Sequence, residues 1–186
     1  MATEREANPV AIEIDLLEPA AAEDAELVER LTDLINQVYV VAEEGIWQPG
    51  WARTNPAEVA GLIEAGEIAV TRLGEEIPGV VRVQSLDDGT GEFGMLAADP
   101  ERRGIGIGRD LVQFSEQLSR DRGHKAMQLE LLVPREWKHP SKVFLDEWYR
   151  RIGYEVIRTT EIDDMYPELA PLLATPCDFV VYEKAL

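Results

Sequence analysis

The sequence predicts an α/β protein, with strands and helices alternating around one mixed sheet of about seven strands. Three observations lead there. Apolar runs of strand length alternate with stretches whose apolar residues recur at helical spacing. Residues 92–118 read as strand, glycine turn and helix: an apolar run ends at Asp99-Pro100, Arg103-Gly104-Ile105-Gly106-Ile107-Gly108 follows, and Ile107, Leu111, Phe114 and Leu118 then mark a helix face. The 186 residues are 45% apolar, enough for a sizeable core. No repeat, low-complexity tract or linker divides them, so residues 1–186 are expected to form one domain.

Residues 10–16 alternate apolar and polar as a first strand, which Pro19 ends. Glu23 and Asp24 suit the positive end of a helix whose expected buried stripe is Leu27, Leu31, Leu34, Ile35, Val38 and Ala42, running toward Gly45. Residues 46–54 form a loop carrying Trp47 and Trp51. Asn55-Pro56-Ala57-Glu58 starts a short second helix, with Asn55 as cap and Pro56 at the first position, and Gly66 ends it. Strands are expected at 68–73 and 80–86, joined through Gly74-Glu75-Glu76. Asp87-Asp88-Gly89 turns the chain into the central strand, residues 92–98, and the helix after it ends at Gly123. Residues 126–133 are an apolar strand interrupted by Gln128 and Glu130. After a loop with Trp137, Pro140 starts a helix with Val143, Phe144, Trp148 and Ile152 as expected core residues, and Gly153 ends it. Residues 154–159 are a strand, 161–176 a proline-punctuated connection with room for one short helix, and 179–183 the last strand.

Composition narrows the function. A net charge of −18 argues against nucleic acid, whose phosphates need a basic surface. The charge is uneven: residues 1–76 hold 17 acidic and 4 basic side chains, a net of −13, against −5 for the remainder. No run is long and apolar enough for a membrane, residues 1–9 lack a signal-peptide core, and the single Cys177 has no disulfide partner. A cytoplasmic, reducing setting is expected.

The turn after the central strand aims bare backbone N–H groups, and the positive end of a helix dipole, at one point. A phosphate suits that point, and glycines let it come close. Two common phosphate motifs fail. A Walker loop needs Gly-Lys-Ser/Thr, whereas Gly108 is followed by Arg109-Asp110, and the dinucleotide fingerprint needs glycine where Arg109 stands. Arg/Gln-x-x-Gly-x-Gly/Ala does match, through Arg103, Gly106 and Gly108. With Leu96-Ala97-Ala98-Asp99-Pro100 before it, this stretch resembles the acyl-CoA pyrophosphate loop of the GCN5-related N-acetyltransferase (GNAT) superfamily. The element order over nearly the whole chain is similar too. The resemblance implies a GNAT fold with helices on both faces of the sheet and acetyl-CoA as co-substrate. It also implies CoA contacts from Leu96, Ala97, Ala98, Arg103, Gly104, Ile105, Gly106, Ile107, Gly108 and Arg109. A backbone N–H within residues 96–98 would face the thioester oxygen, and the same segment would pair with the pantetheine arm like a short strand.

The implied reaction carries an acetyl group directly to an amine through a ternary complex, since no activated serine or cysteine is visible. Tyr149-Arg150-Arg151-Ile152-Gly153-Tyr154 is similar to the family's Tyr-x-x-x-Gly-Phe, which makes Tyr149 the acid that protonates the CoA sulfur. Seven residues earlier the family often has asparagine; here Lys142 stands, and a CoA phosphate is its expected contact. Glu92, four residues before Leu96, matches the catalytic glutamate of the histone-acetylating branch. Glu130 stands in an apolar strand, where burial raises a carboxyl pKa and suits it to act as a base. The choice of base stays open, with Glu130 taken first. His124 reads as a helix cap, His139 as an N-cap neighbour and Cys177 as a packing residue, and none has metal-ligand spacing, so no metal is expected. The expected acceptor is a small cationic amine, because of the acidic N-terminal part and because Glu43 and Glu44 lie beside Trp47 and Trp51. An acyl-CoA-binding regulatory module without catalysis is the alternative. A homodimer is a candidate assembly.

Overall fold

The computed structural model describes residues 12–186. Val10 and Ala11 of the expected first strand lie outside the described residues. The strands are β1 (Glu13–Leu16), β2 (Ile68–Leu73), β3 (Glu76–Ser85), β4 (Gly91–Ala98), β5 (Ala126–Pro134), β6 (Glu155–Glu161) and β7 (Cys177–Ala185). The helices are α1 (Ala25–Ala42), α2 (Pro56–Glu64), α3 (Ile107–Asp121), α4 (Pro140–Arg151) and the single turn α5 (Ile162–Met165). One seven-stranded sheet runs β1-β2-β3-β4-β5-β7-β6. Among the described residues only β4 and β5 pair in parallel, and a parallel neighbour requires a crossover, which α3 supplies.

Local chemistry sets the helix starts. Asp24 caps α1 by accepting from the Leu27 N–H at 3.1 Å, and Asn55 caps α2 by accepting from the Glu58 N–H at 3.0 Å, with Pro56 behind it. His139, expected beside a cap, is itself the cap of α4: its Nδ1 accepts from the Ser141 N–H at 3.2 Å.

Each sheet face has its own core. Under α3 and α4 lie Val83, Phe93, Leu111, Met127, Leu129, Tyr149, Tyr154 and Tyr182. Under α1 and α2 lie Val28, Leu31, Ile35, Val59, Ile63, Ile68, Val70, Val80 and Ala97. The expected stripe of α1 is rotated slightly: Val28, Leu31, Thr32 and Ile35 are buried, while Leu27, Leu34 and Val38 flank them half-buried. A third cluster around Ile46, Leu132, Ile162 and Cys177 fastens the 162–176 connection to β5, with Trp47 and Tyr166 packed against it.

The phase of α4 differs from the sequence expectation. Val143 and Phe144 are 40% and 60% exposed, whereas Lys142 and Tyr149 are buried. The sheet-facing row is 142, 145, 149 and 152, a regular helical series that begins with a lysine; an apolar-only reading shifts the first turn by one residue.

The N-terminal turn of α3 is drawn tightly onto the sheet at Gly79 of β3. A Cβ there would stand 2.5 Å from Ile107 Cγ2, 2.9 Å from Thr71 Oγ1 and 3.0 Å from Leu111 Cδ1. Gly79→Ala should therefore push α3 outward and lower stability by about 1–3 kcal/mol, the usual cost of overpacking. Denaturant unfolding reads this as a lower midpoint with an unchanged slope.

Candidate active site

The glycine turn sits where β4 hands over to α3. Asp99 accepts from the Glu101 N–H at 2.9 Å and opens a short 3-10 turn, Pro100–Arg102. Gly104 and Gly106 then take positive φ values of 85° and 91°. Gly106 is the left-handed residue just before the first turn of α3, and a Cβ on it would meet Arg109 Nη2 at 2.6 Å. The helix thus begins with free N–H groups at an open, glycine-lined end. Ile105 is exposed beside it, and Arg103 makes no ion pair among the described residues. Arg109 leans on Asp110, and Arg102 pairs with Glu76.

The β4–β5 ladder is short. Its partners are Gly91–Met127 and Glu92–Gln128, after which neither strand pairs with the other. β4 also bulges: Gly94 faces Arg82 and Ala97 faces Val80, so Met95 and Leu96 together oppose Val81. Met95 absorbs the extra residue at φ 48°, the only non-glycine with positive φ among the described residues. The β5-facing edge of residues 93–98, which includes Leu96, Ala97 and Ala98, is left without a strand partner among the described residues.

Elements from opposite faces meet beside this opening. α1 packs on β3 and β4 on one face, and α4 packs on β5 on the other. Yet Lys142 Nζ of α4 lies 2.7 Å from Glu43 Oε1 at the end of α1, with the two side chains 5% and 7% exposed. Tyr149 lies two turns further along α4, within an aromatic group formed with Phe93, Trp148, Tyr154 and Tyr182. Its hydroxyl makes no hydrogen bond among the described residues. Burial drives its pKa well up, and the neighbouring Tyr39 and Tyr182 phenols add to this, so Tyr149 rests as a neutral phenol.

Two carboxylates share the α1 face of β4 and β5. Glu92 is held from both sides: Gln84 Nε2 donates to Oε1 at 2.6 Å and Gln128 Nε2 donates to Oε2 at 2.7 Å. Glu130, two residues beyond Gln128 and on the same face, accepts from the Tyr166 hydroxyl at 2.8 Å through Oε2. Burial and the adjacent Glu92 charge raise the Glu130 pKa, while Tyr166 and Arg158 oppose the rise. The sheet thus brings both expected glutamates together. Gln128 and Glu130 have a visible signal as polar residues two apart in an apolar strand. Tyr166 has none, because it lies in an irregular connection.

Two sequence expectations are corrected here. Lys142, expected at a CoA phosphate, has its ammonium group in the buried ion pair with Glu43. Glu43, expected to face a cationic acceptor, is taken by that lysine and by Trp47 Nε1–H at 2.5 Å. Trp47 and Trp51 stack on each other at 4.0 Å with planes 7° apart, so each ring already covers one face of the other. A hydrophobic helix end and a helix start each placed one charged residue at the same junction, and pairing them costs far less than burying either alone.

The comparisons agree with this architecture. A profile of the acetyltransferase (GNAT) domain matches residues 64–156, half of the chain, which spans β2 to the start of β6 and includes the glycine turn and Tyr149. The chain belongs to the GNAT acetyltransferase family and is by class an N-acetyltransferase. Its fold is similar to that of the PaiA N-acetyltransferase from Thermoplasma acidophilum, solved with coenzyme A: TM-score 0.69, 16% identity, 95% of this chain and 99% of that one covered. It is also similar to a mosquito arylalkylamine N-acetyltransferase, like 5b, with TM-score 0.66, 18% identity, and 95% and 100% covered. An IAA acetyltransferase from Bacillus cereus gives TM-score 0.60 at 14% identity, with 95% and 100% covered. No curated protein sequence matches.

Removing one member of the buried ion pair should be costly. Lys142→Met leaves Glu43 unpaired and should destabilise by about 3–5 kcal/mol, while Lys142→Met combined with Glu43→Leu should recover much of that loss. Thermal unfolding of the two variants side by side checks both statements.

Proposed function

We propose that the chain transfers the acetyl group of acetyl-CoA to the nitrogen of a small cationic amine. The observation that carries this reading is the opening between β4 and β5, with a glycine-lined helix start, a buried phenol and a half-buried carboxylate arranged around it. CoA is gripped through its pyrophosphate by main-chain N–H groups of residues 103–109, with Arg103 adding charge. The pantetheine arm lies along residues 96–98 as an extra extended segment, and a backbone N–H there stabilises the tetrahedral oxyanion.

The acceptor arrives as an ammonium ion. Glu130 takes one of its protons and the freed nitrogen attacks the thioester carbon; as the C–S bond breaks and the amide forms, the nitrogen loses its second proton, which through solvent restores the one Tyr149 gives to the departing thiolate. Tyr149 donates to the leaving thiolate, whose charge it meets as a neutral phenol. Glu92, with both oxygens already bonded, contributes a fixed negative charge that favours a cation at the site and helps keep Glu130 basic. The acidic N-terminal part steers cations over longer range, although Glu43 no longer counts toward it. The single Cys177 is buried and free. No helix among the described residues is long and apolar enough to cross a membrane.

The test is thiol release from acetyl-CoA against cationic, neutral and anionic amines of similar size, at low and high salt. Cations should be preferred, and their kcat/KM should weaken with salt. Preference for anionic amines would overturn the acceptor assignment, and CoA binding without thiol release would leave only a binding module. Tyr149→Phe keeps the ring among its aromatic neighbours but removes the donor, so kcat should fall on the order of 10² with CoA affinity nearly intact. Gly106→Glu places a side chain and a negative charge at the helix start; calorimetry should show CoA affinity falling while circular dichroism stays native.

A further inference from the structure

The two glutamates differ in which oxygens are left free. Both oxygens of Glu92 accept amide N–H groups. Glu130 has Oε2 bonded to the Tyr166 hydroxyl, whereas Oε1 has no hydrogen-bond partner among the described residues. Tyr166 is not a loose surface side chain. Its ring packs edge-on against Phe179 at 5.1 Å, its N–H donates to the Ile162 carbonyl at 2.7 Å, and its own carbonyl accepts from the Leu169 N–H at 2.9 Å. The same connection is tied to residues 46–48. Gln48 N–H donates to the Leu172 carbonyl at 2.8 Å, and Ala174 N–H donates to the Ile46 carbonyl at 2.8 Å.

We propose that Tyr166 is a positioning residue for proton transfer: by holding Oε2 of Glu130 it leaves Oε1 as the one oxygen presented to the acceptor nitrogen and favours the carboxylate as the resting form. This rests on the reading in which Glu130 takes the amine proton. A phenol donates well to a carboxylate and poorly to a carboxylic acid, so the bond selects the deprotonated state. Four groups set the local balance. Glu92 on β4 pushes Glu130 toward protonation, as does burial; Tyr166 and Arg158 on β6 pull the other way; Arg82 on β3 faces Tyr166. The Tyr166 phenol is itself held protonated by burial and by the Glu130 and Glu92 charges, so it remains a donor throughout. In the transfer step the amine proton moves to Glu130 Oε1, and Tyr166 keeps its own.

The experiment is a pH titration of the full chain labelled with glutamate ¹³C at the side-chain carboxyl, followed by NMR. The Glu130 resonance is assigned by its loss in Glu130→Gln. In Tyr166→Phe, which keeps the ring on Phe179, Glu130 should titrate about one unit or more higher, as expected for losing one hydrogen bond to a charged group. Glu92→Gln should move it down. With putrescine as acceptor, the acid limb of kcat/KM should move up in Tyr166→Phe by the same amount, since activity is lost as pH falls through the Glu130 pKa. Titration at an unchanged or lower pH in folded Tyr166→Phe overturns the role of Tyr166. Unchanged kcat/KM in Glu130→Gln overturns Glu130 as the base instead, whatever Tyr166→Phe shows. Absence of turnover with putrescine in the wild type counts against the acceptor class and leaves the carboxyl titration as the test of Tyr166.

Discussion

Where the β4–β5 ladder stops after Glu92 and Gln128, two neighbouring strands leave backbone groups that nothing in the sheet satisfies. A sheet interior does not normally tolerate this, because each unpaired buried group costs on the order of 1–3 kcal/mol. The bulge at Met95 enforces the separation by placing two residues opposite Val81, at the cost of a left-handed backbone on a non-glycine residue. The arrangement is sustainable if another extended group completes the edge. In the proposed reaction the pantetheine arm has that place.

The rest of the site follows from the same opening. The chain leaves β4 through the glycine turn and enters α3, and it leaves β5 toward α4, so the helix start and Tyr149 arrive on one face from the two strands that part. The opposite face carries Glu92 and Glu130, and α1 ends beside it. Past the end of this short ladder a lysine from one face meets a glutamate from the other, as Lys142 and Glu43 do. That pair ties the two layers together and anchors Trp47 against the helix end.

Charge in this protein is spent locally as well as broadly. The net −18 suggests a generally acidic surface, yet the acids nearest the opening have specific partners. Glu43 is neutralised by a lysine, Glu92 is fixed by two glutamines, and Glu130 shares one oxygen with a tyrosine. Similar side chains therefore differ in availability, and only one of these carboxylates combines partial burial, a neighbouring like charge and an unoccupied oxygen.

Much of this was legible in the residues. The cap at Asn55, the acidic start of α1 at Glu23 and Asp24, the glycine turn from Arg103 to Gly108, the boundaries of β2 and the α/β alternation are local features, governed by interactions between residues close in sequence. The pairing of Gln128 and Glu130 on one face follows from strand periodicity alone. The phase of the first turn of α4 is not legible there, because Lys142 occupies a core position, and a lysine is buried only when a distant acid meets it. The bulge at Met95, the two glutamines on Glu92 and the hydroxyl of Tyr166 on Glu130 were decided by tertiary structure. Register between strands and contacts across 36 residues of chain depend on how whole elements pack, and no local pattern records them.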